Sequence, residues 1–158
     1  MITVHKAMLK DSRMVAKLMK QKYSFRKLGE AEETFRKEMG QHHHFRIAWL
    51  DAEAVGLISW RTQGGVHHGV AELVRLAVSS SVPEPREVKE ALFDIMVAEA
   101  DSFYREHGIR LRKVFSMIHA DNRHIREFFQ DKGMRQEAVL KNHFYPGMDE
   151  LVFSLFLT

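Results

Sequence analysis

Apolar and polar positions recur with two different periods along the first part of the chain. Ile2 to Ala7 alternates with a period of two, which predicts a short strand. Asp11 is a suitable N-cap for a helix, because apolar residues then recur three and four positions apart at Met14, Val15, Leu18 and Met19. The chain therefore opens with a strand and an amphipathic helix.

The next segment predicts a surface helix and a hairpin. Residues 30–39 are mostly charged and carry one narrow apolar seam of Ala31, Phe35 and Met39. Residues 45–50 and 55–60 are strand-like, and the polar turn at 51–53 connects them. Gly64 and Gly65 then end the second strand of this hairpin.

The second half of the chain continues to alternate strands and helices. Strands are predicted at 70–78 and 113–118, and Asn122 to Lys132 is a short helix closed by Gly133. A long helix ending at Gly108 is indicated by the helical spacing of Val88, Ala91, Leu92, Ile95, Met96 and Phe103. Strands at 136–145 and 151–157 finish the chain, joined at Pro146-Gly147.

This element order, β-α-α-β-β-β-α-β-α-β-β, predicts a mixed α/β fold. The 158 residues suit a single domain covering 1–158, and 45% apolar residues are enough for one core. The absence of cysteine excludes disulfides, thiolate zinc sites and cysteine nucleophiles. No apolar run is long enough to span a membrane, and the first residues lack a signal-peptide core, so we expect a cytoplasmic protein.

Three motifs in the second half resemble those of one family, the GCN5-related N-acetyltransferases (GNAT). Residues 71–78, Ala-Glu-Leu-Val-Arg-Leu-Ala-Val, are similar to the central strand that ends before the pyrophosphate loop. Residues 122–134 resemble the family's Asn-x-x-Ala-x-x-Phe/Leu-Tyr-x-x-x-Gly-Phe, and residues 144–152 resemble its closing Tyr-x-x-Gly-x-Asp-x-Leu. Together the motifs cover about residues 45 to 158, whereas the first 44 residues agree only in pattern.

The resemblance implies a definite fold and reaction. The expected sheet is mixed and mostly antiparallel, with about seven strands splayed between strands 4 and 5 and about four flanking helices. Pantetheine would lie in that gap and pair with the fourth strand. Acetyl would pass from acetyl-CoA, the co-substrate, directly to a primary amine without a covalent enzyme intermediate.

The resemblance also implies site residues. Glu72 matches the position where several family members carry the base that deprotonates the amine, and a solvated glutamate on the outer sheet face is the alternative. The usual tyrosine acid is replaced by Phe129, which has no proton to give, so Tyr145 is the substitute acid. The expected cofactor-binding residues are Leu76, Ala77, Val78, Ser79, Arg86, Glu87, Val88, Lys89, Asn122 and Phe129.

The segment expected to bind pyrophosphate departs from the family pattern. Pro83 stands where the family usually has arginine or glutamine, and Arg86 and Val88 stand in the glycine places. Two prolines remove two N–H donors, and Glu84 and Glu87 place negative charge there. An ordinary helix start is the alternative interpretation, since proline and glutamate favour the first turn.

The remaining polar groups add little specific chemistry. The histidines at 42–44 and 67–68 flank the hairpin without a recognisable ligand spacing, so we predict no metal site. The basic residues between Lys17 and Lys27 are most simply the wet face of the first helix. The net charge of +3 fits an anionic ligand, but no basic-aromatic pattern indicates nucleic acid.

The sequence thus leaves two functions. The first is an acyl-CoA-dependent N-acetyltransferase acting on a small-molecule or protein amine, favoured by Glu72 and the two C-terminal motifs. The second is a catalytically inactive GNAT-like domain that binds a ligand or partner, favoured by residues 83–88 and Phe129. We expect no nucleic-acid or membrane partner, and a homodimer stays open.

Overall fold

The elements follow each other in the predicted order in the computed structural model, which describes residues 1–157. The strands are β1 (Ile2–Lys6), β2 (His44–Leu50), β3 (Glu53–Thr62), β4 (Val70–Val78), β5 (Lys113–His119), β6 (Arg135–Tyr145) and β7 (Met148–Phe156). The helices are α1 (Ser12–Lys22), α2 (Leu28–Gly40), α3 (Pro85–Glu106) and α4 (Arg123–Asp131). Gly108 and Gly133, predicted to end helices, both have the left-handed φ angles that glycine allows.

The seven strands form one mixed sheet in the order β1-β2-β3-β4-β5-β7-β6. The β4–β5 pair is parallel, and β1–β2, β2–β3, β5–β7 and β6–β7 are antiparallel. The β4–β5 ladder joins only Val70, Ala71 and Glu72 to Lys113, Val114 and Phe115. The predicted sheet, splayed between strands 4 and 5 and accompanied by four helices, is confirmed.

One compact unit comprises Met1–Arg61 and Arg75–Glu99. Its core lies between the inner faces of α1 and α2 and strands β2 and β3, where Val15, Met19, Ile47 and Leu57 are almost fully buried. The predicted apolar seam of α2 is confirmed, because Phe35 and Ala31 are fully buried and Met39 packs against the same core.

A second compact unit comprises residues 62–74 and 100–157. Its core contains the buried side chains of Val114, Phe129 and Phe153, with the Phe129 and Phe153 ring centroids 6.4 Å apart. The Tyr104 hydroxyl, also buried, donates a hydrogen bond to the Val70 carbonyl. The single domain expected from the chain length stays a prediction.

Strand β7 begins three residues earlier than predicted, at Met148 instead of Leu151. Asp149 and Glu150 interrupt the apolar pattern, yet both belong to the strand, and Glu150 pairs with His119 of β5. The ladder therefore fixes this boundary and overrides the local polarity. Among residues 1–157, no helix has the length and apolar character needed to cross a bilayer.

Candidate active site

Glu72 is a buried carboxylate in the middle of β4. It is only 7% exposed and lies opposite Phe115 in the last pair of the β4–β5 ladder. The Gln63 Nε2 donates a hydrogen bond of 2.8 Å to Glu72 Oε1. The alternative of a solvated glutamate on an outer face is therefore wrong.

The ladder between β4 and β5 ends directly beside Glu72. The next residue of β5, Ser116, is buried, and its hydroxyl donates 2.8 Å to the carbonyl of Leu73. Strand β5 continues to His119 and pairs over its whole length with β7. Beyond Phe115, the β4-facing side of β5 thus lacks ladder pairing.

The backbone of Leu76, expected to pair with pantetheine, is held by a tyrosine that the motifs did not indicate. The Leu76 N–H donates a hydrogen bond of 2.9 Å to the Tyr23 hydroxyl oxygen. The same hydroxyl donates a hydrogen bond of 3.4 Å to the Leu76 carbonyl. Burial raises the pKa of Tyr23, so the phenol stays protonated at neutral pH. Tyr23 therefore occupies both polar groups of this residue.

An ion pair supports Tyr23 from the next position of the strand. The Arg75 guanidinium lies 4.8 Å from the centre of the Tyr23 ring and makes a bidentate contact of 2.6 and 2.8 Å with Glu38. Burial lowers the pKa of Arg75, but the hydrogen bonds and charge of Glu38 outweigh it and leave the pKa raised. Arg75 is therefore charged and fixed over the ring.

The four amides that follow β4 all donate within the protein. Ala77 and Val78 are buried at the strand end. The Ser79 N–H donates to the Val55 carbonyl at 2.7 Å, and the Ser80 N–H donates to Gln21 Oε1 at 3.3 Å. The Ser81 N–H donates to Ser79 Oγ at 3.4 Å, and the Val82 N–H donates to the Ser79 carbonyl at 3.3 Å. Pro83 and Pro85 have no N–H, so neither residue can donate a backbone hydrogen bond to an anion near this loop.

Charged side chains of both signs surround the start of α3. Arg86 is exposed, and its Nε donates 2.9 Å to Glu90. The pKa of Lys89 is lowered by burial and then by the nearby charges of Lys22 and Arg86. A hydrogen bond with Glu84, together with the charge of that residue, raises the pKa of Glu87.

Three of the expected site residues have structural roles. Val88 is fully buried, and it packs so close to β3 that a Cβ on Gly56 would meet its Cγ1 at 3.0 Å. Asn122 is the exposed N-cap of α4 and accepts from the Ile125 N–H at 3.3 Å. Phe129 is 1% exposed and lies in the core.

Tyr145 lies at the end of β6, 56% exposed, and its ring centre is 6.1 Å from that of His119. His119 Nδ1 makes a short hydrogen bond with Glu150 Oε2. Sequence reasoning missed this pair, because its members are separated by 31 positions. The signal available was Glu150 itself, an acidic residue within an apolar strand.

The histidine clusters have separate contacts. His44 stacks on Trp60 at 4.2 Å, His43 is buried, and the rings of His67 and His68 are 4.1 Å apart. In the part of the chain that the structure describes, no three His, Asp or Glu side chains form a group that could hold a metal ion.

Comparisons with known proteins find similarity in structure only. No protein-family model and no curated protein matches the sequence. The ribosomal-protein-S18-alanine N-acetyltransferase of Escherichia coli is similar over 100% of this chain and 95% of its own, with 14% identity and a TM-score of 0.80. An N-acetyltransferase from Staphylococcus aureus Mu50 is similar over 100% and 99%, with 14% identity and a TM-score of 0.77.

A third similar structure carries the family name. It is a protein from Desulfovibrio desulfuricans classed with the acetyltransferases of the GNAT family, 19% identical over 100% of both chains with a TM-score of 0.79. At such identities the likeness establishes the fold, and it agrees with the seven-strand sheet and its parallel β4–β5 pair. This chain therefore has the fold of the GNAT acetyltransferases.

Proposed function

We propose that this chain is an acyl-CoA-dependent N-acetyltransferase that moves acetyl from acetyl-CoA to a primary amine. The observation that carries the proposal is Glu72, a buried carboxylate held by Gln63 at the point where the β4–β5 ladder ends. A buried carboxylate next to unpaired strand edges is suited to proton transfer in a site that excludes most water.

The first task of the site is to remove a proton from the acceptor. A lysine-like amine has a pKa of about 10.4, so at neutral pH it carries no free lone pair for attack. Glu72 accepts a proton from the amine nitrogen in our proposal, directly or through one water. The hydrogen bond from Gln63 Nε2 to Oε1 helps to hold the carboxylate in place.

The second task is to accept the departing thiolate. Tyr145 has an exposed phenol at the end of β6 and is the proposed acid, since Phe129 has no proton and is buried. A coenzyme A thiolate also leaves without help, because a thiol is a far stronger acid than an amine. Loss of Tyr145 would therefore slow the reaction less than loss of Glu72.

The start of α3 supplies the proposed contacts for the pyrophosphate. Arg86, Lys89 and Lys22 provide positive charge, and the N-terminal end of a helix itself favours an anion. Glu84 and Glu87 oppose an anion there, and the hydrogen bond between them and the raised pKa of Glu87 are signs of that crowding. The fit is therefore partial and depends on side chains rather than on a glycine loop.

A peptide N-terminus is the acceptor we propose to test first. The closing motif at residues 144–152 resembles family members that acetylate protein N-termini, and the similar E. coli structure is an N-acetyltransferase of a ribosomal-protein alanine. A peptide backbone also suits an exposed aromatic pair such as Phe144 and Tyr145 at the hairpin end.

A second candidate function is a non-catalytic domain that binds a ligand or a protein. Two observations favour it: Tyr23 occupies both backbone groups of Leu76, and the four amides after β4 are already hydrogen-bonded. In this alternative the acetyl-CoA contacts of the fold are lost, and Glu72 is only a buried structural carboxylate.

Glu72→Gln separates the two functions. The substitution keeps the size and the hydrogen bond to Gln63 but removes the base, so turnover should fall about a hundredfold while the acetyl-CoA dissociation constant stays unchanged. Turnover is measured as thiol release with a peptide bearing a free N-terminus, and binding is measured by calorimetry.

The matched control is Glu53→Gln, an exposed carboxylate at the start of β3. It should leave both turnover and affinity at wild-type values. Equal turnover of Glu72→Gln and wild type at saturating acceptor would remove Glu72 from the mechanism. No binding of acetyl-CoA at millimolar concentration by the wild type would favour the non-catalytic alternative.

A further inference from the structure

The second compact unit holds an imidazole–carboxylate pair that the mechanism above does not use. His119 is the last residue of β5, and it lies directly opposite Glu150 in the antiparallel β5–β7 ladder. The Glu150 side chain is only 4% exposed, whereas the His119 side chain is 47% exposed. Isolation of a carboxylate from water costs several kcal/mol unless a partner compensates, and the His119 ring is such a partner.

The pair fixes the chemistry of the imidazole ring. His119 Nδ1 makes a short hydrogen bond with Glu150 Oε2, and an ionised carboxylate can only accept. Nδ1 therefore carries the proton. In the neutral ring, Nε2 is then left with a free lone pair on the half-exposed side. A histidine oriented in this way is a proton acceptor that can exchange its proton with solvent.

The pair lies on the same face of the sheet as Glu72. Glu72 is level with Phe115 in the ladder, and Phe115 and His119 point to one face because they are four positions apart on the strand. The distance between these two positions is about 13 Å along the strand. Glu72 and His119 thus lie level with the two ends of the part of β5 that has no ladder pairing with β4.

The proton balance of the reaction requires two proton acceptors. An ammonium group has three N–H bonds and the product amide has one, so two protons must leave the nitrogen. One proton ends on the coenzyme A thiolate when the C–S bond breaks, and the other must reach solvent. Glu72 is poorly placed to release a proton to solvent because it is buried, whereas the side chain of His119 is half exposed.

We propose that His119, positioned by Glu150, is the group that takes the first proton from the arriving ammonium and releases it to solvent. The proton moves from the nitrogen to Nε2, and the Glu150 carboxylate stabilises the resulting imidazolium. The neutral amine then attacks the thioester carbon, the C–N bond forms and Glu72 takes the second proton. When the C–S bond breaks, this second proton passes to the departing thiolate, directly or through water, and Glu72 is left ionised again. The exposed ring of Tyr145, 6.1 Å from His119, forms a wall for the acceptor. This inference rests on the proposed function.

The test is His119→Ala with acetyl-CoA and a panel of primary amines that includes a peptide N-terminus and a diamine. Loss of the group that accepts the first proton should lower kcat/KM for the amine about a hundredfold. The rate at saturating amine should fall as well, because at fixed pH the ratio of neutral to protonated amine does not rise with its concentration, and the loss should become smaller as the pH approaches the pKa of the amine. Added imidazole should restore kcat/KM, and acetyl-CoA affinity should not change. His5→Ala, an exposed histidine on β1, is the matched control.

Glu150 is a positioning residue and needs a readout other than rate. Nitrogen-15 NMR of the wild type should show His119 protonated on Nδ1, and Glu150→Gln should shift the balance between the two tautomers. Added imidazole should not restore the activity of Glu150→Gln. A wild-type ring protonated only on Nε2 overturns the inference, even if Glu150→Gln does not fold.

The outcomes separate this inference from the proposed function. A wild type that acetylates an amine while His119→Ala retains full kcat/KM overturns the role of His119 and leaves the proposed function intact. A wild type that acetylates none of the amines overturns both. Wild-type activity with a selective, imidazole-restored loss in His119→Ala supports both.

Discussion

Tyr23 is the side chain with the largest influence on whether a ligand can reach the β4 backbone. Its hydroxyl engages the N–H and the carbonyl of Leu76, and the charged guanidinium of Arg75 holds its ring. Each hydrogen bond is worth about 0.5–1.5 kcal/mol net. A ligand that pairs with Leu76 must first displace the tyrosine, which weakens binding by a comparable amount.

Tyr23→Phe should therefore bind acetyl-CoA more tightly than the wild type. Removal of the hydroxyl frees both backbone groups of Leu76, and about 1.4 kcal/mol corresponds to a tenfold gain in affinity. Calorimetric titration measures the difference. Tyr104→Phe is the control, because it removes another tyrosine hydroxyl bonded to a carbonyl, that of Val70, and should lower the melting temperature without changing affinity. Equal affinity of Tyr23→Phe and wild type would show that the ligand does not pair with Leu76.

The sequence could indicate individual residues only where a motif surrounds them. Glu72 was found because the strand motif at 71–78 places it. Its hydrogen bond with Gln63 could not be found in this way, because the two residues meet only after the chain turns at Gly64 to Gly69. The pair of His119 and Glu150 depends on a strand register between residues 31 positions apart. No local pattern encodes that register.

Elements were easier to predict than contacts, because a period of two or of 3.6 residues survives in the sequence. The β4 strand was predicted with its observed bounds of Val70–Val78, and α3 begins at Pro85 as expected from proline and glutamate in a first turn. The segment between them was harder to read. Its four amides are used by Val55, Gln21 and Ser79, and these partners could not be deduced from composition.

Because those amides are occupied, side chains near the start of α3 must carry more of any phosphate contact. Arg86→Ala and Lys89→Ala should each weaken acetyl-CoA binding about tenfold or more, as loss of a charge-assisted hydrogen bond does. The affinity of the wild type should fall more steeply with added salt than that of Arg86→Ala. Titrations at two salt concentrations measure both effects.

The helix itself offers matched variants for this experiment. Glu90→Gln releases Arg86 from its ion pair and should tighten binding. Arg105→Ala removes a similar pair with Asp101 at the far end of α3 and should have no effect. If Arg86→Ala binds as well as the wild type, the phosphate is held by something other than this side chain.

At the scale of the whole molecule, the sheet and its helices could be predicted from the sequence, whereas the grouping of contacts into compact units could not. The seven-strand mixed sheet with four helices was expected from the element order and the motif resemblance. The division of the contacts into two compact units was not, because β4 and α3 each contribute residues to both units. Periodicity locates a strand, but it does not say which neighbours the two ends of the strand will have.

Folding stability gives the most general test of the proposed function, because any ligand that binds only the folded chain stabilises it. Acetyl-CoA at 100 times its dissociation constant should add about 2.7 kcal/mol and raise the melting temperature by about 5–10 °C for a chain of this size. ATP and ADP carry the adenine and the diphosphate linkage but no pantetheine. They should give a shift of less than about 2 °C if pantetheine makes the main contacts. Equal shifts from acetyl-CoA and ADP would restrict recognition to the nucleotide, and no shift from either would favour the ligand- or partner-binding alternative over the transferase.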